Sequence, residues 1–305
     1  MKSFEFDPPV GVSQALKPGL RRILAPNPSP MTYRGTNTYL LGQKALAVID
    51  PGPNNSDHLQ AILDAADGVP VEAILVTHSH VDHSQLARPL AKATGAPVLA
   101  FGDSYSGRSE IMKRLEISET LGGGEGVDAK FTPDQTLQDM EVIEGKDWQI
   151  TALWTPGHFG NHMCFAWRDV LFTGDHVMGW ASSLVSPPDG DLRDFMTSCR
   201  RLQTREDRTY FPGHGAAVTA PAARLDDLIR HREMRTNQIL SVLNNSALTI
   251  PEIVSCIYSD IPSGLHGAAE RNVFAHLIDL IEKSEVVSLD PLSSKAHFAL
   301  AGHKV

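Results

Sequence analysis

Thr77-His78-Ser79-His80-Val81-Asp82-His83 is the stretch on which the reading of this chain turns. Three imidazoles and a carboxylate follow directly on the apolar run Glu72-Ala73-Ile74-Leu75-Val76, which has the composition of a buried strand. On a loop leaving that strand, His78 and His80 converge on one side, while Asp82 and His83 turn back toward a second point nearby. Imidazole and carboxylate together suit zinc, manganese or iron. The same arrangement, an apolar run closed by a glycine and then a ligand-type residue, recurs three times. His158 follows Leu153-Trp154-Thr155-Pro156-Gly157, Asp175 follows Leu171-Phe172-Thr173-Gly174, and His214 follows Tyr210-Phe211-Pro212-Gly213. Glycine at each place lets backbone approach a ligand closely. One such histidine would read as an ordinary polar loop residue; the whole set at repeated strand ends reads as a metal centre.

Composition sets the bounds around this motif. The chain has 305 residues, 42% hydrophobic and 21% charged, values of a globular protein with a real core rather than a disordered or fibrous one. No apolar run approaches the ~18–20 residues of a membrane span. The start, Met1 to Pro9, carries early acids and two prolines and no apolar signal-type segment, so a cytoplasmic protein without a membrane partner is expected. A net charge of −9 argues against nucleic acid held by bulk positive potential, while a local basic groove stays open. Three cysteines, Cys164, Cys199 and Cys256, are too few and too scattered for a disulfide framework. Thirteen histidines are an excess, and the motif accounts for five of them.

Short strands and helices alternate over the first two thirds, an α/β pattern. Strands are expected at Thr38–Leu41 and Ala45–Asp50, at Gln149–Trp154, and as a pair over Met163–Trp167 and Val170–Thr173; helices at Asp57–Ala66 and Gln85–Thr94. The glycine-rich Leu121–Gly126 lacks the Lys-Ser/Thr of a phosphate loop and reads as a loop. The last part is different. A long helix over Ala222–Leu243, a capped helix starting at Thr249-Ile250-Pro251-Glu252, a helix over Ala268–Lys283 and a closing hairpin over Val286–Leu289 and His297–Leu300 outline a winged helix. The expected division is a catalytic part over 1–219 and a winged-helix-like part over 220–305.

The HxHxDH motif with its distant His, Asp and His resembles the metallo-β-lactamase superfamily over about residues 20 to 215. The resemblance implies a four-layer αββα sandwich with a dimetal site at one edge of its two sheets. It implies that His78, His80 and His158 hold one metal, that Asp82, His83 and His214 hold the second, and that Asp175 bridges them. Two divalent ions, zinc foremost with iron or manganese as alternatives, would share a hydroxide that serves as nucleophile, with Asp82 orienting it and moving a proton. Asp50 matches the family's buried aspartate and would support a ligand imidazole. His162 and His176, beside the ligands in sequence, are candidates for the site wall or its support.

Spacing narrows the branch. Position 175 is Asp and not Cys, and only 38 residues separate Asp175 from His214, leaving no room for the inserted capping domain of the nuclease branch. The stretches Asn27–Tyr39 and Leu265–Val273 resemble the β-lactamase-like protein 2 group, which carries a winged-helix-like C-terminal domain and whose animal member is regarded as a single-strand endoribonuclease. The first reading is therefore a hydrolase of a small-molecule ester, thioester or lactone, its pocket lined by Met31, Tyr33, Trp180 and the segment 182–191. The alternative is a single-strand-specific endoribonuclease with RNA as partner. From Ala220 onward, however, eight Lys/Arg face ten Asp/Glu, which is no basic platform. A non-catalytic partner-binding protein and an exported β-lactamase rank lower. The winged-helix part is expected to pack on the core or to form a homodimer.

Overall fold

The computed structural model describes residues 6–117, 126–244, 246–258 and 266–302. The glycine-rich loop lies outside these residues except for Gly126, as does Leu265.

Seven strands form a first sheet in chain order: β1 (Gln14–Lys17), β2 (Leu20–Leu24), β3 (Asn37–Leu41), β4 (Leu46–Ile49), β5 (Val71–Leu75), β6 (Val98–Ala100) and β7 (Gln135–Thr136). Its first four strands are antiparallel, and β4 through β7 run parallel. A second sheet follows in the order β12-β11-β10-β9-β8, built from β8 (Val142–Glu144), β9 (Gln149–Trp154), β10 (Met163–Trp167), β11 (Val170–Gly174) and β12 (Thr209–Pro212). Strand alternation decides what each face meets. Tyr39, Leu41, Ala47, Ile49, Ala73 and Leu75 from one sheet interlock with Ile150, Ala152, Met163, Phe165 and Phe172 from the other. The intervening residues point outward. Leu40, Val48, Ile74 and Val76 meet helices α1 (Ser56–Ala66) and α3 (Ala87–Thr94), which lie either side of the single turn α2 (Val81–Ser84). Leu153, Cys164 and Leu171 meet α5 (Leu192–Gln203) and the start of α6 (Pro221–Leu243); α4 (Glu110–Ile117) lies between β6 and β7 in the chain. The result is the expected four-layer αββα sandwich.

The expected strands are present, with β9 and β10 falling on the expected residues, while β1, β2, β7, β8 and β13 go beyond the sequence expectation. The expected helix over Gln85–Thr94 is shortened: α3 begins only at Ala87, behind the separate turn α2, and is capped by Gly95. Helix α5 was not anticipated, although Asp191 caps it by accepting from the backbone N–H of Arg193 at 2.9 Å.

The C-terminal part contains α7 (Ile250–Ile257), α8 (His266–Glu282) and a small sheet of β13 (Leu248–Thr249), β14 (Val286–Ser288) and β15 (His297–Leu300), ordered β13-β15-β14. Glu252 closes the capping box by accepting from Thr249 N at 2.8 Å. This is a winged-helix arrangement around Ile253, Val273, Phe274, Leu277 and Phe298. Helix α6 is shared: Leu225 and Leu228 pack in the sandwich's outer layer, whereas Ile239 and Leu243 belong to the winged-helix core. Met112 and Leu115 of α4 also join that core. Among the described residues no helix is long and apolar enough to cross a membrane.

Candidate metal centre

Strands β4, β5, β9, β11 and β12 all end at one edge of the sandwich, and the chain leaving each one brings in a polar residue. Beyond β5 the chain runs extended to His80, whose backbone (φ −73°, ψ 145°) turns into α2. That turn separates the motif into halves. His78, His80, His158 and Asp175 form one group and Asp82, His83 and His214 a second; within each group the candidate ligand atoms lie within 4.8 Å of one another. All seven residues singled out in the sequence are thus brought together. Asp175 reaches both groups, with Oδ2 3.3 Å from His214 Nε2 and 3.8 Å from His158 Nε2.

The orientation of each ring is set by what its outer nitrogen bonds. His83 Nδ1 lies 2.9 Å from Asp50 Oδ2, His158 Nδ1 2.7 Å from the Leu184 carbonyl, and His214 Nδ1 3.2 Å from the Gly35 carbonyl. A carbonyl or carboxylate can only accept, so each of these nitrogens carries the proton. His78 Nδ1 lies 3.0 Å from Thr77 Oγ1, whose own hydroxyl is used toward Asp50 Oδ2 at 2.8 Å, so His78 donates as well. In the neutral rings the four inner Nε2 atoms therefore carry the lone pairs. They face one another and further acceptors: His78 Nε2 and His158 Nε2 sit 2.8 Å and 3.1 Å from His80 Nδ1. His83 Nε2 sits 3.3 Å from His214 Nε2 and 3.4 Å from Asp82 Oδ2. Asp175 Oδ1 is buried with no hydrogen-bond donor. Acceptors crowded in this way repel unless a cation lies among them, a metal ion or, in the second group, the protons that His83 and His214 hold. Ligands about 2.1 Å from a tetrahedral ion sit about 3.4 Å apart, which these separations bracket. The donor set fits a divalent metal in both groups.

The two groups differ in charge. Burial, reinforced by His83, holds His78 well below the ordinary imidazole range, and burial together with His158 pushes His80 down to about 3. In the second group burial works the same way but is outweighed by carboxylates. Asp82, Asp175 and Asp50 hold His83 well above its usual value, and Asp175 with Asp82 raises His214 to about 9.

Close approach explains the glycines. A Cβ on Gly213 would stand 2.6 Å from Asp175 Oδ1 and 2.6 Å from His83 Cε1. At Gly174, with φ 46°, it would stand 2.7 Å from Thr77 Oγ1 and 2.7 Å from His162 Nε2.

Asp50 sits behind His83 and also accepts the Thr77 N–H at 2.7 Å. Tyr33 and Trp180 stack at 5.1 Å, and Trp180 lies against Gly215, the residue after His214. Met31 is exposed, and Asp189 is buried in an ion pair with Arg108 at 2.6 Å and so does not face an open pocket. His162 and His176 are fully buried. His162 packs behind His78 with ring centroids 5.2 Å apart and Nδ1 3.0 Å from Thr155 Oγ1. His176 turns away onto Phe195, 4.6 Å between centroids, with its Nε2 toward the Cys199 thiol. The wall position considered for these two is thereby corrected: His162 enters the layer behind His78, and the turn in which His176 N–H bonds the Thr173 carbonyl at 3.0 Å carries His176 away from the ligands. Three contributors escaped the sequence reading. Thr36 Oγ1 donates to Asp82 Oδ2 at 3.0 Å, Thr77 links Asp50 to His78, and the Leu184 carbonyl orients His158. Thr36 and Thr77 lie within the quoted stretches Asn27–Tyr39 and Thr77–His83, which was the available signal; a carbonyl contact leaves none.

A four-layer αββα sandwich with paired His/Asp groups at one sheet edge defines a class of metal-dependent hydrolases. The chain belongs to that class, the metallo-β-lactamase superfamily, whose family model matches residues 31–214, and a beta-lactamase associated winged helix domain matches residues 249–291. Among particular proteins it is similar to the "Lactamase-like protein adaB" of Aspergillus niger, 31% identical over 92% of this chain and 85% of that protein. It is similar to the "Atrochrysone carboxyl ACP thioesterase" of Aspergillus fumigatus, 29% identical over 88% and 81% of the two chains. The "Beta-lactamase-like protein 2 homolog" of Drosophila melanogaster is 30% identical over 87% of this chain and 88% of its own length. A solved metallo-beta-lactamase family protein from Thermus thermophilus superposes with a TM-score of 0.75 at 26% identity, covering 94% of this chain and all (100%) of that one.

Proposed function

We propose that the chain is a dimetal hydrolase of small-molecule acyl compounds, with thioesters foremost among esters, thioesters and lactones. The crowding of inward-facing lone pairs and carboxylate oxygens in two adjoining groups carries this reading. His78, His80 and His158 would hold one ion, Asp82, His83 and His214 the other, and Asp175 would touch both; zinc suits this set, with iron or manganese as alternatives. Ions held there supply Lewis acidity toward the scissile carbonyl and a water acidic near neutral pH. The protein's part is to fix the ligands, exclude competing nucleophiles and move a proton. Asp82, its side chain 20% exposed, is more open than Asp175 at 10% and is steadied by Thr36, so it serves as the group that orients the attacking water and takes its proton. The stacked Tyr33–Trp180 pair forms an apolar wall for the acyl group. Covalent catalysis by cysteine is disfavoured near the site, because burial pushes the Cys164 and Cys199 thiols up to about 12.

Similarity across most of its length to a protein named a thioesterase supports the thioester among acyl substrates. We place the catalytic chemistry in residues 1–219 and read 220–305 as the winged-helix part. The test is a side-by-side assay of metal-loaded protein on an S-acyl pantetheine thioester, an aryl ester, a lactone, a β-lactam, a phosphodiester and unstructured RNA. Turnover of acyl compounds is expected. Cleavage of RNA with none of the acyl compounds touched would replace this reading by the endoribonuclease one.

A further inference from the structure

The segment from 178 to 184 runs between the metal centre and α6, and α6 holds it with arginines two turns apart. Arg224 donates to the carbonyls of Met178 and Ala181, at 2.7 Å and 2.6 Å, on either side of Trp180. Arg232, 2% exposed and lying over the Phe195 ring, donates to the carbonyl of Ser183. Ser183 in turn donates its hydroxyl to the Asp175 carbonyl, with the His176 carbonyl 2.9 Å away. Leu184, the next residue, supplies the carbonyl that holds His158 Nδ1 at 2.7 Å. Arg232 is itself held from the winged-helix side, where its other Nη donates to Asn272 Oδ1 on α8. The Asn272 amide is completed by a 3.0 Å bond to the Tyr258 hydroxyl. Asn272 belongs to the Leu265–Val273 stretch, whose chemistry the metal centre leaves unexplained.

We propose that Arg232, clamped by Asn272, is a positioning residue for the metal centre. It fixes Ser183 and Leu184, and through them the main chain at Asp175 and the ring of His158. Both are ligands in the reading given above, on which this inference rests. The winged-helix part is then a structural component of the site rather than a separable attachment. A buried guanidinium is expensive to desolvate and is retained where its planar set of donors fixes several acceptors at once. An apolar side chain at 232 would fill the same space without specifying the path of the segment.

The test measures equilibrium affinity of the metal-stripped full chain for Zn²⁺, by competition with a chromophoric chelator, at a temperature where circular dichroism shows each variant folded. Residues that orient a metal ligand typically contribute about 10–100-fold to affinity, and Arg232→Met is expected to lose on that scale. Asn272→Ala should weaken binding in the same direction. Asn272→Asp, which keeps an acceptor for the guanidinium, should restore it. Ile239→Ala, on the same helix but in the winged-helix core, should lower the melting temperature and leave affinity as in the wild type. Wild-type affinity in both Arg232→Met and Asn272→Ala, with only melting temperature reduced, would overturn the proposal. If Arg232→Met does not fold, the Asn272 pair decides by the same criterion. A wild-type chain that binds no Zn²⁺, Fe²⁺ or Mn²⁺ would instead defeat the reading of the centre itself, an outcome distinct from a centre that binds normally and ignores Arg232.

Discussion

The strand-end centre and the winged-helix core are assembled on opposite principles. At the centre, buried polar atoms converge and are kept in place by bonds from behind, as Asp50, Leu184 and Gly35 hold His83, His158 and His214. In the winged-helix core, Ile253, Val273, Phe274, Leu277 and Phe298 are buried against one another and need only to exclude water. The first arrangement crowds acceptors that need a cation among them, a metal ion or the protons on His83 and His214. The second gains free energy from each methylene removed from water. Function and stability should therefore separate on mutation, and α6, which touches both regions, is where they should meet.

The largest expected effect tests the first half of that contrast. Asp175→Asn or His80→Ala should lower hydrolysis by at least ~10²–10³-fold, the scale for removing a preorganised electrostatic group. Bound metal should fall as well. In metal-stripped protein His80→Ala removes an imidazole crowded against His78 and His158, so its melting temperature should stay near that of the stripped wild type, whereas Asp175→Asn removes a carboxylate that holds His83 and His214 protonated and should lower it. A large drop in His80→Ala would mean that the first group contributes to the fold by itself. The converse substitution is Phe298→Ala, at a side chain with no exposure. It should cost about 3–5 kcal/mol in a denaturant titration while leaving kcat of the folded fraction unchanged. A fall in kcat would show the two regions to be coupled beyond the Arg232 contact.

Asp50→Asn is a narrower probe. Asn tolerates the left-handed backbone found here (φ 50°), but its amide offers a donor where three donors already point. Metal affinity measured by chelator competition should drop by about 10–100-fold, with the larger loss in the second group, where Asp50 bonds His83 directly and not through Thr77 as it does His78. Equal loss of both ions would contradict that order.

The smallest effect concerns the sandwich alone. Burial, aided by Asp191, raises the Asp194 carboxyl at the start of α5 from 3.8 to about 6. A raised folded-state value favours the protonated form, so this contribution is present below about pH 4 and is lost as pH rises through about 6. Melting temperatures of metal-stripped protein across that window should decline less steeply in Asp194→Asn than in the wild type, and an unchanged slope would remove Asp194 as the cause.

How far the sequence could be read follows from the same contrast. His78 to His83 were legible because neighbours in sequence are neighbours at a strand end. His158, Asp175 and His214 were legible because each follows an apolar strand and a glycine, and parallel or adjacent strands ending at one edge must bring such residues together. The depth of His162 and His176 was not legible, since position beside a ligand does not say which face a side chain takes. The supporting contacts of Leu184 and Gly35 are made by carbonyls that every residue possesses. Arg232 lies in a polar stretch of a long helix, where only the tertiary partners Ser183 and Asn272 reveal that it is buried. Likewise Met112 and Leu115 of α4 pack with a core formed from residues far along the chain.

The most direct test of the metal-centre account is a titration of the metal-stripped chain with Zn²⁺, Fe²⁺ or Mn²⁺, following acyl hydrolysis and bound metal by elemental analysis together. The account predicts no activity in the stripped protein and recovery that saturates at two ions per chain. Full activity in metal-stripped protein would contradict it.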